Sequence, residues 1–186
     1  ARTRPAMMPR CLWLRPDSGV DMDASNLVKT WLDRSNMAGK KTMSLKQSSA
    51  KKKPTYVASV VSNQPGIRYS GAQIMQGANN SSINADKQGY NARSIFIVFQ
   101  TGSEVTSPQV LWAEGDKKVG LNVFLSGGNL CLGAWGTKAP KNQIAWDPVF
   151  LSTNVTSNAL YCVQFSLNYD QGQPANTSFD GYINGV

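Results

Sequence analysis

The sequence predicts an all-β, antiparallel sandwich, and three observations carry that reading. Short apolar runs rich in Val, Ile, Phe, Tyr and Trp recur along the chain, as pleated, half-buried strands require. Gly, Pro, Asn and Ser cluster between those runs, where turns need special backbone angles. Helical periodicity is almost absent. The best helical window, Ser25 to Asp33, sets Leu27, Val28, Trp31 and Leu32 near i, i+3, i+4 spacing, but it is short.

In chain order, Thr55-Tyr56-Val57 and Gly66-Ile67-Arg68-Tyr69 read as short strands bracketing a turn at Asn63-Gln64-Pro65. Ser94 to Gln100 (SIFIVFQ) is the strongest strand, with the β-branched and aromatic content of one buried on both faces. Val110–Ala113, Leu121–Leu125 and Asn129–Trp135 follow. The last two join through Ser126-Gly127-Gly128, a hairpin connection because Gly accepts positive φ without steric cost. Val149–Leu151, Tyr161–Leu167 and Phe179–Val186 complete the set. The basic stretch 36–53 reads as an exposed excursion, and 1–11 as a basic arm or linker, leaving 12–186 as a single sandwich domain.

Charge and composition narrow the chemistry. The 186 residues carry a net charge of +8 and no His, which excludes a Ser-His-Asp triad, a Cys-His nucleophile and His-bound zinc. Residues 1–53 hold twelve basic and four acidic side chains, whereas the remainder is balanced. The anion-patch candidates are Lys40, Lys41, Lys51, Lys52 and Lys53; a solvated face that aids solubility is the plainer reading. Nucleic acid has only this segment in its favour, since aromatics and Lys are not interleaved as in single-strand binders. No apolar run approaches the roughly 18–20 residues of a membrane span. No signal-peptide pattern opens at Ala1, so an extracellular or cell-surface setting implies a leader already removed. Of the cysteines, Cys131 and Cys162 read as reduced, buried hydrophobes within strands. They would pair only if their strands bring the Cα atoms within about 4.4–6.8 Å. Cys11, beside Arg10, is expected nearest the surface.

Three stretches taken together resemble a known family. They are Leu12-Trp13-Leu14-Arg15-Pro16-Asp17-Ser18-Gly19-Val20 with Val28-Lys29-Thr30-Trp31-Leu32-Asp33-Arg34-Ser35-Asn36, then Lys53-Pro54-Thr55-Tyr56 with Asn63 to Gly71, then Ser94–Phe99 with Val110–Trp112 and a late Gly181-Tyr182-Ile183-Asn184-Gly185. In that order they look like the concanavalin A-like lectin/glucanase superfamily, in its bacterial laminin-G-like branch. The resemblance implies a jelly-roll sandwich over about 12–186 that mediates adhesion or binds a glycan or cell-surface protein. The motif residues also have plain physical readings. Trp13 and Trp31 can cover the open end of a sandwich, Asp33 can cap the following turn, and Gly71 and Gly185 suit positive φ. Asn184-Gly185 is itself a hairpin signal, so a returning strand is expected after it. Either the fold closes differently, or the chain is a fragment, or another chain supplies a strand. The last case makes the protein a structural subunit of a pilus, filament or surface assembly.

Glucanases of this superfamily carry Glu-x-Asp-x-(x)-Glu, two carboxyls flanking the scissile bond. Here Glu114-Gly115-Asp116 is followed by Lys117-Lys118, and the chain has only Glu104 and Glu114, so hydrolysis through that motif is not expected. For sugar binding, Trp135, Trp146, Asp147, Asn142 and Tyr169 combine aromatic surface with amide and carboxylate groups at loops and strand ends. The competing reading packs both tryptophans in or near the core. No cofactor is required. Calcium is the one candidate, with Asp17, Asp21 and Asp23 at spacings that ordinary turn acids also show.

Overall fold

A computed structural model of the chain describes residues 12–35, 43–78, 92–115, 117, 119–136, 146–168 and 178–186. Across these residues the fold is all β apart from a short 3₁₀ turn at Ala50–Lys52, and every strand pair is antiparallel. No helix among them is long and apolar enough to cross a membrane. The chain groups into two compact units, Ala1–Ile83 and Asn84–Val186.

The first unit holds β1 (Val20–Met22), β2 (Val28–Trp31), β3 (Leu45–Lys46), β4 (Thr55–Val61), β5 (Gln64–Arg68) and β6 (Gln76–Gly77). One sheet runs β1-β2-β3-β6, and β4-β5 form a hairpin. The helical window at Ser25–Asp33 is instead strand β2. Asp23 Oδ1 accepts the Ser25 and Leu27 N–H groups at 3.0 Å each, and Asn26 takes φ 59°. The chain therefore reverses there, and Val20 pairs with Trp31 and Asp21 with Thr30. A turn closed by side-chain bonds outweighs a short run of helical spacing. The turn expected at Asn63-Gln64-Pro65 lies earlier, at Ser62 (φ 48°) and Asn63 (φ 60°), and Pro65 stands inside β5. A two-residue loop of this kind needs both residues left-handed, which proline's fixed φ forbids.

In the described part of the Lys-rich stretch Lys46 and residues 48–52 are exposed, while its first residues enter the sheet. Met43 and Leu45 are buried, and Leu45 pairs with Trp31 on one side and Gly77 on the other. Asp33 joins these pieces. Its buried carboxylate accepts Trp13 N (2.9 Å) and Ser35 N (2.8 Å) on Oδ1, and Ser35 Oγ (2.8 Å) and Met43 N (3.2 Å) on Oδ2. The local bonds to Ser35 follow from the sequence; those to Trp13 and Met43 come from tertiary structure. Gly71 (φ 96°) and Gly185 (φ 89°) are left-handed as expected. Trp31 is half-buried and its indole N–H donates to Arg15 O at 2.9 Å, while Trp13 is 37% exposed.

The second unit comprises β7 (Ala92–Gln100), β8 (Gln109–Gly115), β9 (Val119–Ser126), β10 (Asn129–Gly136), β11 (Trp146–Asn154), β12 (Leu160–Asn168) and β13 (Ser178–Ile183). β8 to β11 form a meander, and β13-β12-β7 make the facing sheet. Between them Leu121, Val123 and Leu125 of β9 and Leu130, Leu132 and Ala134 of β10 pack with Val163, Phe165 and Leu167 of β12. This is a sandwich core, supplied by every second residue of each strand. Gly127 (φ 59°) and Gly128 (φ 78°) form the expected β9–β10 turn, joining Ser126 to its partner Asn129.

Two expectations change here. β7 is covered on one face only: Ile95, Ile97 and Phe99 face the core, while Phe96 and Val98 are 62% and 68% exposed. Cys162 is exposed and Cys131 half-buried, both as free thiols. Each sits out of phase with the buried residues of its strand, so the two point to opposite outer faces of the sandwich and cannot pair. Cys11 lies outside the described residues.

Replacing Asp33 by Ala strands three backbone N–H donors, of which Ser35 and Met43 belong to buried residues. Chemical denaturation should show a loss of about 2–4 kcal/mol, the range for buried donors left unpaired, and Asp33→Asn should lose less. Iodoacetamide labelling of the native protein, mapped by peptide mass, should modify Cys162 well before Cys131.

Candidate functional site

The outward face of the β8–β11 sheet gathers the side chains best suited to bind something. Gly120, Asn122 and Phe124 of β9 alternate with the buried Leu121, Val123 and Leu125, so they point away from the core. On β10 the same parity turns Cys131, Gly133 and Trp135 outward. Cross-strand register then builds two rows: Phe150, Gly133, Asn122 and Ala113 in one, and Trp135, Gly120 and Gly115 in the next.

The glycines in these rows are needed for close approach. A Cβ on Gly120 would lie 2.3 Å from the Trp135 ring, so the indole rests directly on the β9 backbone. A Cβ on Gly133 would meet Asn122 Oδ1 at 2.5 Å and the Phe150 ring at 2.9 Å. Aromatic rings laid over cross-strand glycines restore the packing that glycine omits. On this face Trp135 is half-buried and Phe150 is 62% exposed. Asn122 Oδ1 is buried beside the Phe150 ring and accepts no hydrogen bond among the described residues. Such an orphan acceptor costs about 1–3 kcal/mol.

Of the sugar-site candidates, Trp135 stands on this face. The backbone of Trp146 pairs with Gly136, so β11 begins beside the end of β10 that carries Trp135. Asn142 and Tyr169 lie outside the described residues, as do the side chains of Trp146 and Asp147. Asn122, Phe150 and Phe124 were not picked out from sequence. The usable signal was the strict alternation Gly120-Leu121-Asn122-Val123-Phe124-Leu125, which puts an amide and an aromatic on the same outward face.

The three aspartates considered for calcium are not gathered. Asp17 is engaged by the Arg15 guanidinium, with Nε to Oδ1 at 2.9 Å. Asp23 closes its own turn and accepts Lys53 Nζ at 3.3 Å, and both contacts hold its carboxyl below the usual range. Asp21 sits exposed on β1 opposite Thr30. Among the described residues no three acidic, Cys or His side chains group as a metal site. In the anion patch Lys51 and Lys52 are exposed, Lys53 is committed to Asp23, and Lys40 and Lys41 lie outside the described residues.

Both glutamates have structural placements. Glu104 caps its own turn, accepting the Thr106 and Ser107 N–H groups. Glu114 faces inward from β8, opposite the buried Leu121, with Arg93 Nε of β7 3.6 Å from its Oε1. This ion pair ties the two sheets together at one flank of the sandwich. Burial raises the Glu114 pKa above its ordinary value, and the Arg93 charge opposes this. The Trp112 indole N–H also lowers it.

Comparison with known proteins adds no family: no family model, curated protein or solved structure matches the chain.

The raised Glu114 pKa sets the sign of a pH effect. The folded state holds this proton more tightly than the unfolded chain, so the group stabilises below about 4.5. That contribution is lost as pH climbs through the raised folded value. Denaturation at a series of pH values from about 4 to about 7 should show the native protein losing stability relative to Glu114→Gln as pH rises.

Proposed function

We propose that the Asn84–Val186 unit is a non-catalytic module that binds glycans through the outward face of its β8–β11 sheet. In this reading it serves adhesion at a cell surface or in the extracellular space. The jelly-roll, laminin-G-like resemblance of the sequence points the same way. The observation that carries the proposal is the pair of aromatic rings, Trp135 and Phe150, laid over Gly120 and Gly133 on adjacent rows of one sheet face.

Aromatic rings on a sheet face suit the C–H face of a pyranose ring, which is apolar on its face and hydroxylated around its rim. Asn122 supplies an acceptor without a partner, sheltered beside Phe150, which a sugar hydroxyl would satisfy once that ring turns aside. Neither glutamate stands on this face, so the chemistry it offers is recognition rather than bond cleavage.

A glycan array with the purified chain tests the reading. Reproducible binding to at least one glycan class is expected, abolished by Trp135→Ala and weakened several-fold by Phe150→Ala. Phe96→Ala, on the outer face of the other sheet, should leave it unchanged. Silence of the native protein across the array, or equal binding by the Trp135→Ala variant, would sink it.

A further inference from the structure

Independently of glycan recognition, the outer face of the β13-β12-β7 sheet forms a second surface. With Ile95, Ile97 and Phe99 turned to the core, Phe96 and Val98 of β7 point outward. On β12 the same parity turns Leu160, Cys162, Gln164 and Ser166 outward, alternating with the buried Val163, Phe165 and Leu167. Register then sets the face out in rows. Val98 lies beside Cys162, with Leu160 beyond it at that end. Phe96, Gln164 and Tyr182 form the next row, and Ser94, Ser166 and Asp180 the one after.

The two ends of this face differ in chemistry. Leu160 and Tyr182 are each 46% exposed, beside the still more exposed Phe96 and Val98, so one end is apolar. At the other end Ser94 Oγ and Ser166 Oγ share a hydrogen bond of 3.1 Å, with Asp180 next in the row. Among the described residues of the face, Asp180 is the one side chain with a formal charge. The four apolar side chains together expose about 400 Å², within the size range of patches that mark interaction surfaces. In a chain of net charge +8, a face so nearly free of charge is where two copies meet without mutual repulsion.

We infer that this face is the contact between two copies of the chain, related by a two-fold axis running close to the direction of β12. Rotation about that axis lays apolar rows on apolar rows and the serine row on the serine row. A two-fold across the strands would instead set Val98 and Cys162 against Ser94 and Ser166. On the chosen axis stands Gln164, whose amide is both donor and acceptor and so pairs with its own copy. Phe96 covers Tyr182 of the second copy, and Asp180 faces a Ser94 hydroxyl rather than another acid. Facing sheets pack about 10 Å apart, which brings the two Cys162 thiols near each other across the axis. With the polar side chains of the face included, two copies bury about 1,000–1,200 Å² in total, the low end of specific interfaces. The dimer is therefore reversible, with a Kd of about 10–100 µM.

Analytical ultracentrifugation of the native chain tests this. The apparent mass should rise from the 20.2 kDa of one chain towards twice that value between about 2 and about 500 µM. Val98→Glu sets a charge into the contact from an already exposed position and should hold the chain monomeric throughout. Val110, as exposed as Val98 but on the other sheet, provides the control: Val110→Glu should dimerise like the native protein. A second readout needs no folded variant. Iodoacetamide labelling of Cys162 should slow several-fold from the lowest to the highest concentration, with Cys131 unaffected. At high concentration a short bis-maleimide should link two copies through Cys162. A native chain that stays monomeric at about 500 µM overturns the inference. So does a dimer that survives Val98→Glu, or a cross-link that runs through another cysteine.

Discussion

The structure of the second unit depends on one constraint: successive residues of a strand point to opposite sides of its sheet. Because Leu121, Val123, Leu125, Leu130, Leu132 and Ala134 must meet Val163, Phe165 and Leu167, the parity of β9, β10 and β12 is set. A slip of one residue would bury Asn122 and Gln164 and expose the leucines, a loss no local preference could offset. Everything else on these strands inherits the choice. The same parity sends Trp135, Asn122 and Gly133 to one outer face, Cys162 and Phe96 to the other, and Glu114 inward to Arg93.

The first unit rests on a different device. The strands of its β1-β2-β3-β6 sheet are short, with three residues in β1, four in β2 and two each in β3 and β6, and among them only Val28 and Leu45 are buried. Side-chain bonds to backbone take over much of the work: Asp23 closes the β1–β2 turn, and Asp33 holds Trp13, Ser35 and Met43 from a buried site. A carboxylate accepting several backbone N–H groups offsets its own desolvation, which a lone buried charge cannot do.

These two designs bear on what each region can do. The Asp23 carboxylate, spent on its turn and on Lys53, is already coordinated by the protein's own donors. The outer sheet face carries the half-buried Trp135 ring and the exposed Phe150 ring, and Asn122 Oδ1 has no partner among the described residues. The proposed glycan site rests on that surface.

How much was legible in the sequence follows from how local each cause is. The all-β class, the strands from Ser94 onward and the Gly127-Gly128 and Asn184-Gly185 turns were readable, because alternation and left-handed turn residues act over a few neighbours. Strand β2 (Val28–Trp31), inside the short helical window Ser25–Asp33, and the position of the β4–β5 turn were not legible. There a side-chain-closed turn at Asp23, and left-handed φ at Ser62 and Asn63, overrode short-range spacing. Tertiary structure alone decided that β7 is covered on a single face and that Asp33 reaches Trp13 and Met43. It also decided that Asn122 and Phe150 meet over Gly133. Each of these depends on which strand lies beside or across from which, and pairings of residues distant in sequence leave no periodic trace in the chain itself.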